Sequence, residues 1–186
     1  FILLSCLGCA TLMGQYSPNS PYSRIGIGES VDNNSMTLRS MGSVGAGYVD
    51  AYNINVVNPA SYGFLDVTSF DIGVFAKYSR LDDGTRVDGL WNGNIGYISL
   101  AFPLSNPINE ILDRVERKSS WGMNLTLMPH TVVGYNVSSI DTLDGIGAVR
   151  KDYLGSGGSY KFMWGNSYRY RNFSAGLNMG YLFGNI

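Results

Sequence analysis

Five stretches of this chain alternate between apolar and small or polar residues with a period of two, which restricts the fold to one built of half-covered strands. The clearest is 121–139, where Trp121, Met123, Leu125, Leu127, Val133, Tyr135 and Val137 fall on one side of an extended chain. Gly122, Asn124, Thr126, His130, Gly134, Asn136 and Ser138 fall on the other, with Met128 and Val132 out of step. Residues 69–79 set Phe70, Ile72, Val74, Ala76 and Tyr78 against Ser69, Asp71, Gly73, Lys77 and Ser79, with Phe75 as the exception. In 94–102, Ile98, Leu100 and Phe102 share a side with Asn94 and Gly96, and the division is less clean. Residues 160–170 and 173–183 repeat the pattern, with Tyr160, Phe162, Trp164, Tyr168 and Tyr170, then Phe173, Ala175, Leu177, Met179, Tyr181 and Phe183.

Alternation alone fits a soluble sandwich with its apolar face inward as well as a membrane barrel with its apolar face outward. Composition favours the barrel. Charged residues make up 15% of the chain, against roughly 25% in ordinary soluble domains. The 24 glycines and 13 tyrosines suit close-packed strands with aromatic girdles at their ends. No apolar run reaches the roughly 20 residues of a spanning helix. The net charge of −1 lacks the electrostatic footprint of a nucleic-acid partner.

Residues 1–14, FILLSCLGCATLMG, read as the apolar core of an export signal with cleavage before Gln15. Both cysteines lie inside it, so the mature chain carries none and offers no thiolate chemistry. Residues 15–66 read as an N-terminal hatch. Their 38–65 stretch, LRSMGSVGAGYVDAYNINVVNPASYGFL, is dense in Gly, Ala and Ser and suits packing against a wall better than building a core of its own. Residues 67–186 read as the first strands of the barrel. The expected fold class is therefore all-β, an antiparallel transmembrane β-barrel of about five strands here, with a hatch and one short helix. Because small bacterial barrels have eight strands, the sequence reads as a part of a longer one.

Connections supply a further expectation. Residues 80–93 and 140–158 read as long outer loops, with Gly155–Ser159 a flexible return into the next strand, and Arg171-Asn172 as a tight inner turn. Ile108, Ile111, Leu112 and Val115 follow helical spacing, with Asn106 as N-cap and Pro107 at the first helical position, so 103–119 is expected to hold a short amphipathic helix. Pro129 interrupts the most regular strand. It lacks the N–H that a ladder needs, so a bulge, an edge or a gap is expected there.

The hatch stretch, then WGMNLTLMPHTVVGY, GSGGSYKFMWG and FSAGLNMGYLFG in order, resembles the FadL-type outer-membrane transporters of hydrophobic compounds over roughly residues 22–184. The resemblance implies a hatch motif at Asn58, Pro59 and Ala60 and a lateral gate at Pro129, His130 and Thr131. It implies passive uptake of hydrophobic small molecules such as long-chain fatty acids, with no cofactor, and lipid and an apolar ligand as partners. Lys77, Lys161 and Arg169 lie on the polar face, either to meet a ligand carboxylate or to pair with Asp71 and hatch backbone groups. FadL-like barrels also serve protein-export machines such as the type IX apparatus, which leaves a secretion accessory with protein partners as the alternative. His130 is the only histidine and has no evident triad or second metal ligand, and no G-x-S-x-G motif occurs, so neither an enzyme nor a metal site is expected.

Overall fold

The alternation sorts the side chains of five long strands onto two faces of one antiparallel sheet, and the N-terminal segment packs on the polar face. The computed structural model describes residues 20–32, 34–82, 84, 87–105, 118–143 and 147–185, the side chains of Asp88, Thr142 and Leu143 excepted. A 3-10 turn over Pro21–Arg24 leads to β1, Glu29–Ser30, then α1, Met36–Ser40, and a 3-10 helix over Pro59–Phe64. Then come β2 (Ser69–Asp82), β3 (Val87–Pro103), β4 (Ser119–Leu143), β5 (Gly147–Tyr170) and β6 (Phe173–Asn185). The sheet order is β2-β3-β4-β5-β6, and β1 pairs with β4. Among the described residues the chain is thus all-β, as one open sheet. The expected signal segment lies outside the described residues, as do residues 106–117 of the 103–119 stretch expected to hold a short amphipathic helix.

Register aligns the apolar residues into rows across the strands. Phe70, Leu100, Leu125, Trp164 and Met179 form one row, and Ile72, Ile98, Leu127, Phe162 and Tyr181 the next. These rows are bare: Phe70 is 67% exposed, Trp164 44% and Tyr181 70%. The opposite rows, Ala101–Asn124–Gly165–Asn178 and Pro103–Gly122–Ser167–Gly176, carry small and amide side chains and meet the N-terminal segment. This is the reverse of a soluble sandwich, in which the apolar face would be the covered one. The core is shared, with Ile54, Val56, Tyr62 and Leu65 against Tyr97, Ala101, Met128 and Met163.

Two irregularities correct the simple alternation. The β2–β3 register steps from Gly73↔Tyr97 to Val74↔Ile95, leaving Gly96 as an extra residue. Ile95 therefore joins the apolar face, and Asn94 turns to the other side with Phe75 and Lys77, where it lines the same cavity. The β4–β5 register steps from Pro129↔Tyr160 to Thr131↔Ser159, leaving His130 extra. One added residue turns every later side chain over. Val133, Tyr135 and Val137 consequently lie on the face opposite Trp121, toward the N-terminal segment, and Asn136 and Ser138 point away from it.

The expected outer loops are mostly strand. β2 and β3 pair as far as Asp82↔Val87, and β4 and β5 as far as Leu143↔Gly147. Residues 155–159 lie within β5, where Gly155 fits opposite Tyr135 because a Cβ would overlap the phenol ring. These polar stretches hold as strands through cross-strand pairs. Tyr78 packs on Trp91 at 5.1 Å between ring centroids, and the Lys151 ammonium meets the Asp141 carboxylate at 2.7 Å.

Candidate functional site

The principal polar constellation of this chain is the seam between the N-terminal segment and the sheet. Asn58 caps the 3-10 helix, its side-chain oxygen accepting from the Ala60 N–H at 3.2 Å, and Pro59 suits the first helical position. Asn55 folds the preceding turn. Its buried amide donates to the Gly45 and Tyr48 carbonyls at 2.6 and 2.9 Å and accepts from the Val57 and Asn58 N–H groups. Ser167 on β5 holds the helix itself, donating to the Ala60 carbonyl at 3.0 Å and accepting from the Gly63 N–H at 3.2 Å.

Small residues on the wall let this helix approach. A Cβ on Gly122 would overlap the Tyr62 carbonyl, and one on Gly176 would overlap the Pro59 carbonyl group. Because the obstructing atoms are backbone, they cannot rotate aside. The glycines are required by close approach rather than by their backbone angles.

Tyr62 sits at the centre of a buried relay. Ser99 donates to the Asn124 carbonyl oxygen at 2.9 Å, and the Asn124 amide donates to Thr126 at 2.9 Å and to the Tyr62 hydroxyl at 3.3 Å. Tyr62 donates onward to Asn178 at 3.1 Å, whose amide donates to the Val56 carbonyl at 2.9 Å. The relay ties β3, β4 and β6 to the N-terminal segment, with every amide satisfied in both directions. Burial raises the Tyr62 pKa above its ordinary value, so the relay holds a neutral phenol. A second fixed corner is Asp50, whose carboxylate accepts from the Tyr52 N–H at 2.7 Å and from Asn53 and Tyr48; the Tyr52 bond first among these holds its pKa low.

The other expected site residues do not converge. Lys77 pairs with Glu29 at 3.5 Å, and Asp71 accepts from the Tyr97 hydroxyl at 2.8 Å. The Arg169 guanidinium lies over the Phe64 ring at 4.1 Å, and its Nε donates to the Arg171 carbonyl. Lys161 lines a separate cavity of about 260 Å³ with Val56, Met128 and Asn178. Pro129, His130 and Thr131 lie where β3 and β4 part: pairing of those strands runs from Pro103↔Gly122 only to Ile98↔Leu127. Beyond that point β1 takes the β4 edge, with Glu29 opposite Val132 and Ser30 opposite Thr131. Thr131 and Ser159 share a hydroxyl hydrogen bond at 2.7 Å across the bulge. Among the described residues no group of three or more His, Cys, Asp or Glu is placed to hold a metal ion.

Ser99, Asn124, Ser167 and Asn178 are the seam residues that sequence reasoning missed. For Asn124, Ser167 and Asn178 the signal is present as amides and hydroxyls recurring among glycines on one face of three strands, whereas Ser99 stands on a mixed face of β3; the partners of all four are not legible.

A family model described as BamG matches residues 1–186, and no curated protein and no solved structure matches the chain. This overturns the resemblance to FadL-type transporters, and with it the uptake of hydrophobic compounds through a lateral gate. The type IX-like secretion accessory is likewise unsupported. A hatch followed by alternating strands is shared architecture, and Asn58-Pro59-Ala60 serves as a helix start that any such segment can use. The chain, over its whole length, belongs to the BamG family.

Proposed function

We propose that this protein is a membrane-embedded, non-enzymatic component of the machinery that assembles proteins into the outer membrane, acting through contacts with other proteins. Membership of the BamG family supports the link to assembly and to protein partners. The observation that carries the embedded part is the inverted sheet, apolar on its bare face and polar on its covered one. The bare apolar band in β5 runs from Tyr160 to Tyr170, aromatic at both ends, which matches the 9–11 residues of a tilted spanning strand. In this reading the sheet is part of a closed barrel and residues 15–66 form its hatch. The lumen face is occupied by Tyr62 and its relay, so the hatch is a fixed structural part of the wall rather than a moving gate.

The test is isolation of the full-length protein from native outer membrane in mild detergent, with its depletion followed in parallel. Stoichiometric recovery with outer-membrane assembly proteins, and reduced levels of other barrel proteins on depletion, are the expected results. Recovery alone, with barrel protein levels unchanged, would contradict the reading.

A further inference from the structure

Two hairpins, β2–β3 and β4–β5, share a ladder only at their base, from Ile98↔Leu127 to Pro103↔Gly122. Above it they part into a wedge. Its floor is a cavity of about 510 Å³ lined by residues including Glu29, Asp32, Lys77, Asn94 and Val132. One wall of the wedge is a strand edge that no described strand covers, and its direction is set by Gly134. The Gly134 carbonyl accepts from the Ser20 N–H at 3.1 Å, and its N–H donates to the Ser23 hydroxyl at 3.1 Å, so both groups point away from β5. The β4–β5 register has no further shift beyond Thr131. Backbone groups of Asn136, Ser138 and Ile140 therefore point the same way, and no described strand pairs with them on that side.

We infer that this wedge receives one extended polypeptide segment from a partner protein, which adds to the β4 edge at Asn136–Ile140 and continues the line of β1. Three observations support that occupant over lipid. The edge already recruits an extended segment, since β1 pairs at Val132 and Thr131 and the Val31 N–H donates to the His130 carbonyl at 3.0 Å. Open edges are normally guarded by Lys, Pro or a bulge, and Asn136, Val137, Ser138, Ser139 and Ile140 include none of these. Above His130 the side that points away from the N-terminal segment has no continuous apolar row: Asn136, Ser138, Ser156, Asp152 and Arg150 stand among Leu154 and Ile140. That places the edge in water, where a partner's strand reaches it and lipid does not. Charges at the floor are mutually paired, Lys77 with Glu29 and Arg39 with Asp32 at 3.4 Å, so the wedge selects an uncharged segment.

The inference rests on the reading of this chain as a partner in an assembly machine and names where that partner docks. Its test places a photo-crosslinking amino acid at Asn94 and, separately, at Ser138 in the full-length protein in native outer membrane, and maps the crosslinked peptides. Crosslinks from both positions to a single segment of one other protein, lost about tenfold in Asn136→Pro and retained in Asn136→Ala, are expected. Proline there removes a donor to the open edge and none to β5, so the sheet itself is spared. Crosslinks to this chain's own residues, to a second copy or to lipid would overturn the inference, as would equal yields in both variants. If the assembly proteins co-purify while these crosslinks fail, only the docking site is wrong; if nothing co-purifies, the assembly reading fails first.

Discussion

Below His130, the β4–β5 hairpin turns apolar side chains outward and polar ones toward the N-terminal segment; above it the outward side is mixed, polar residues standing among Leu154 and Ile140. The lower half presents Leu125, Leu127, Phe162 and Trp164 on the bare face and Asn124, Thr126 and Gly165 on the covered one. The upper half presents Asn136, Ser138, Asp152 and Ser156 outward, while Val133 packs inward near Gly28 and the Arg24 guanidinium sits over the Tyr153 ring at 5.1 Å. One extra residue separates the two. The bulge acts on β4 alone: it moves the later odd-numbered side chains to the side of the N-terminal segment, while β5 keeps its alternation through Tyr160, Gly158 and Ser156. In the proposed membrane-embedded reading, the same strand pair faces lipid at one end and water at the other.

Insertion of one alanine between Val132 and Val133, with the His130 bulge kept, strikes this contrast hardest. It moves the later β4 side chains over by one, so Val133, Tyr135 and Val137 would turn outward and Asn136 and Ser138 inward, whereas deletion of His130 keeps Thr131 opposite Ser159 and leaves these sides as they are. Loss of the folded protein from the outer membrane is expected for the insertion and not for the deletion, read as disappearance of the heat-modifiable band on cold gels. Normal membrane assembly of the alanine variant would mean that the β4–β5 register does not set the sides of these residues.

Charge placed on each half sharpens the comparison. Leu125→Lys is expected to destabilise the membrane-inserted protein by about 2–4 kcal/mol, and Ser156→Lys by about 0–1 kcal/mol, the cost of a lysine at mid-membrane and near the interface. Reversible denaturant titration in lipid vesicles measures both. Equal effects would remove the distinction between the halves.

Next comes the seam that only the lower half possesses. Gly122→Ala forces a Cβ against the Tyr62 carbonyl, and about 1–3 kcal/mol of destabilisation is expected. Asn124→Ala leaves the Tyr62 and Ser99 hydroxyls short of a partner, at about 1–3 kcal/mol. Combined with Tyr62→Phe its effect should be less than additive, because both act on one relay. Limited proteolysis of the N-terminal segment reads these variants; full additivity would show that the relay is not a unit.

The smallest expected effect is on pH. Burial raises the Tyr62 pKa in the folded protein above its ordinary 10.0. Stabilisation from this group is fully present below pH 10 and is lost as pH rises through the raised value. Proteolytic release of the N-terminal segment should therefore begin at high pH, earlier than in Tyr62→Phe. Identical alkaline profiles would remove Tyr62 from the account.

Strand identity was legible because period-two alternation survives any tertiary context in which one face differs from the other. The two faces were legible only between bulges. Val132, out of step beyond Pro129, is the trace of the His130 bulge, whereas Met128 keeps the register and packs in the core of the covered face; the weak division of 94–102 is the trace of Gly96. Reading Val132 as an exception rather than as a shift put Val133, Tyr135 and Val137 on the wrong face. The ends of the hairpins read as loops because neither of their faces has a continuous apolar covering, so no alternation marks them. Asn58 is visible as a motif and its cap is local, whereas the seating of the 3-10 helix on the sheet involves Gly176 and Ser167, more than 100 residues away in the chain. Family membership was hidden because a small-residue N-terminal segment, a glycine-rich wall and alternating strands are demands of close packing, common to proteins of unrelated purpose.

The most direct measurement is spin-label accessibility in vesicles, with single labels at Leu125, Phe162 and Trp164 below the bulge and at Asn136, Asp152 and Ser156 above it. Oxygen, which concentrates in lipid, should relax the lower labels, and a water-soluble nickel chelate should relax the upper ones, with the change falling between Tyr160 and Ser156. Nickel access at Leu125 and Trp164 would mean that the bare apolar face does not meet lipid, and the account of an inverted, membrane-embedded sheet would be wrong.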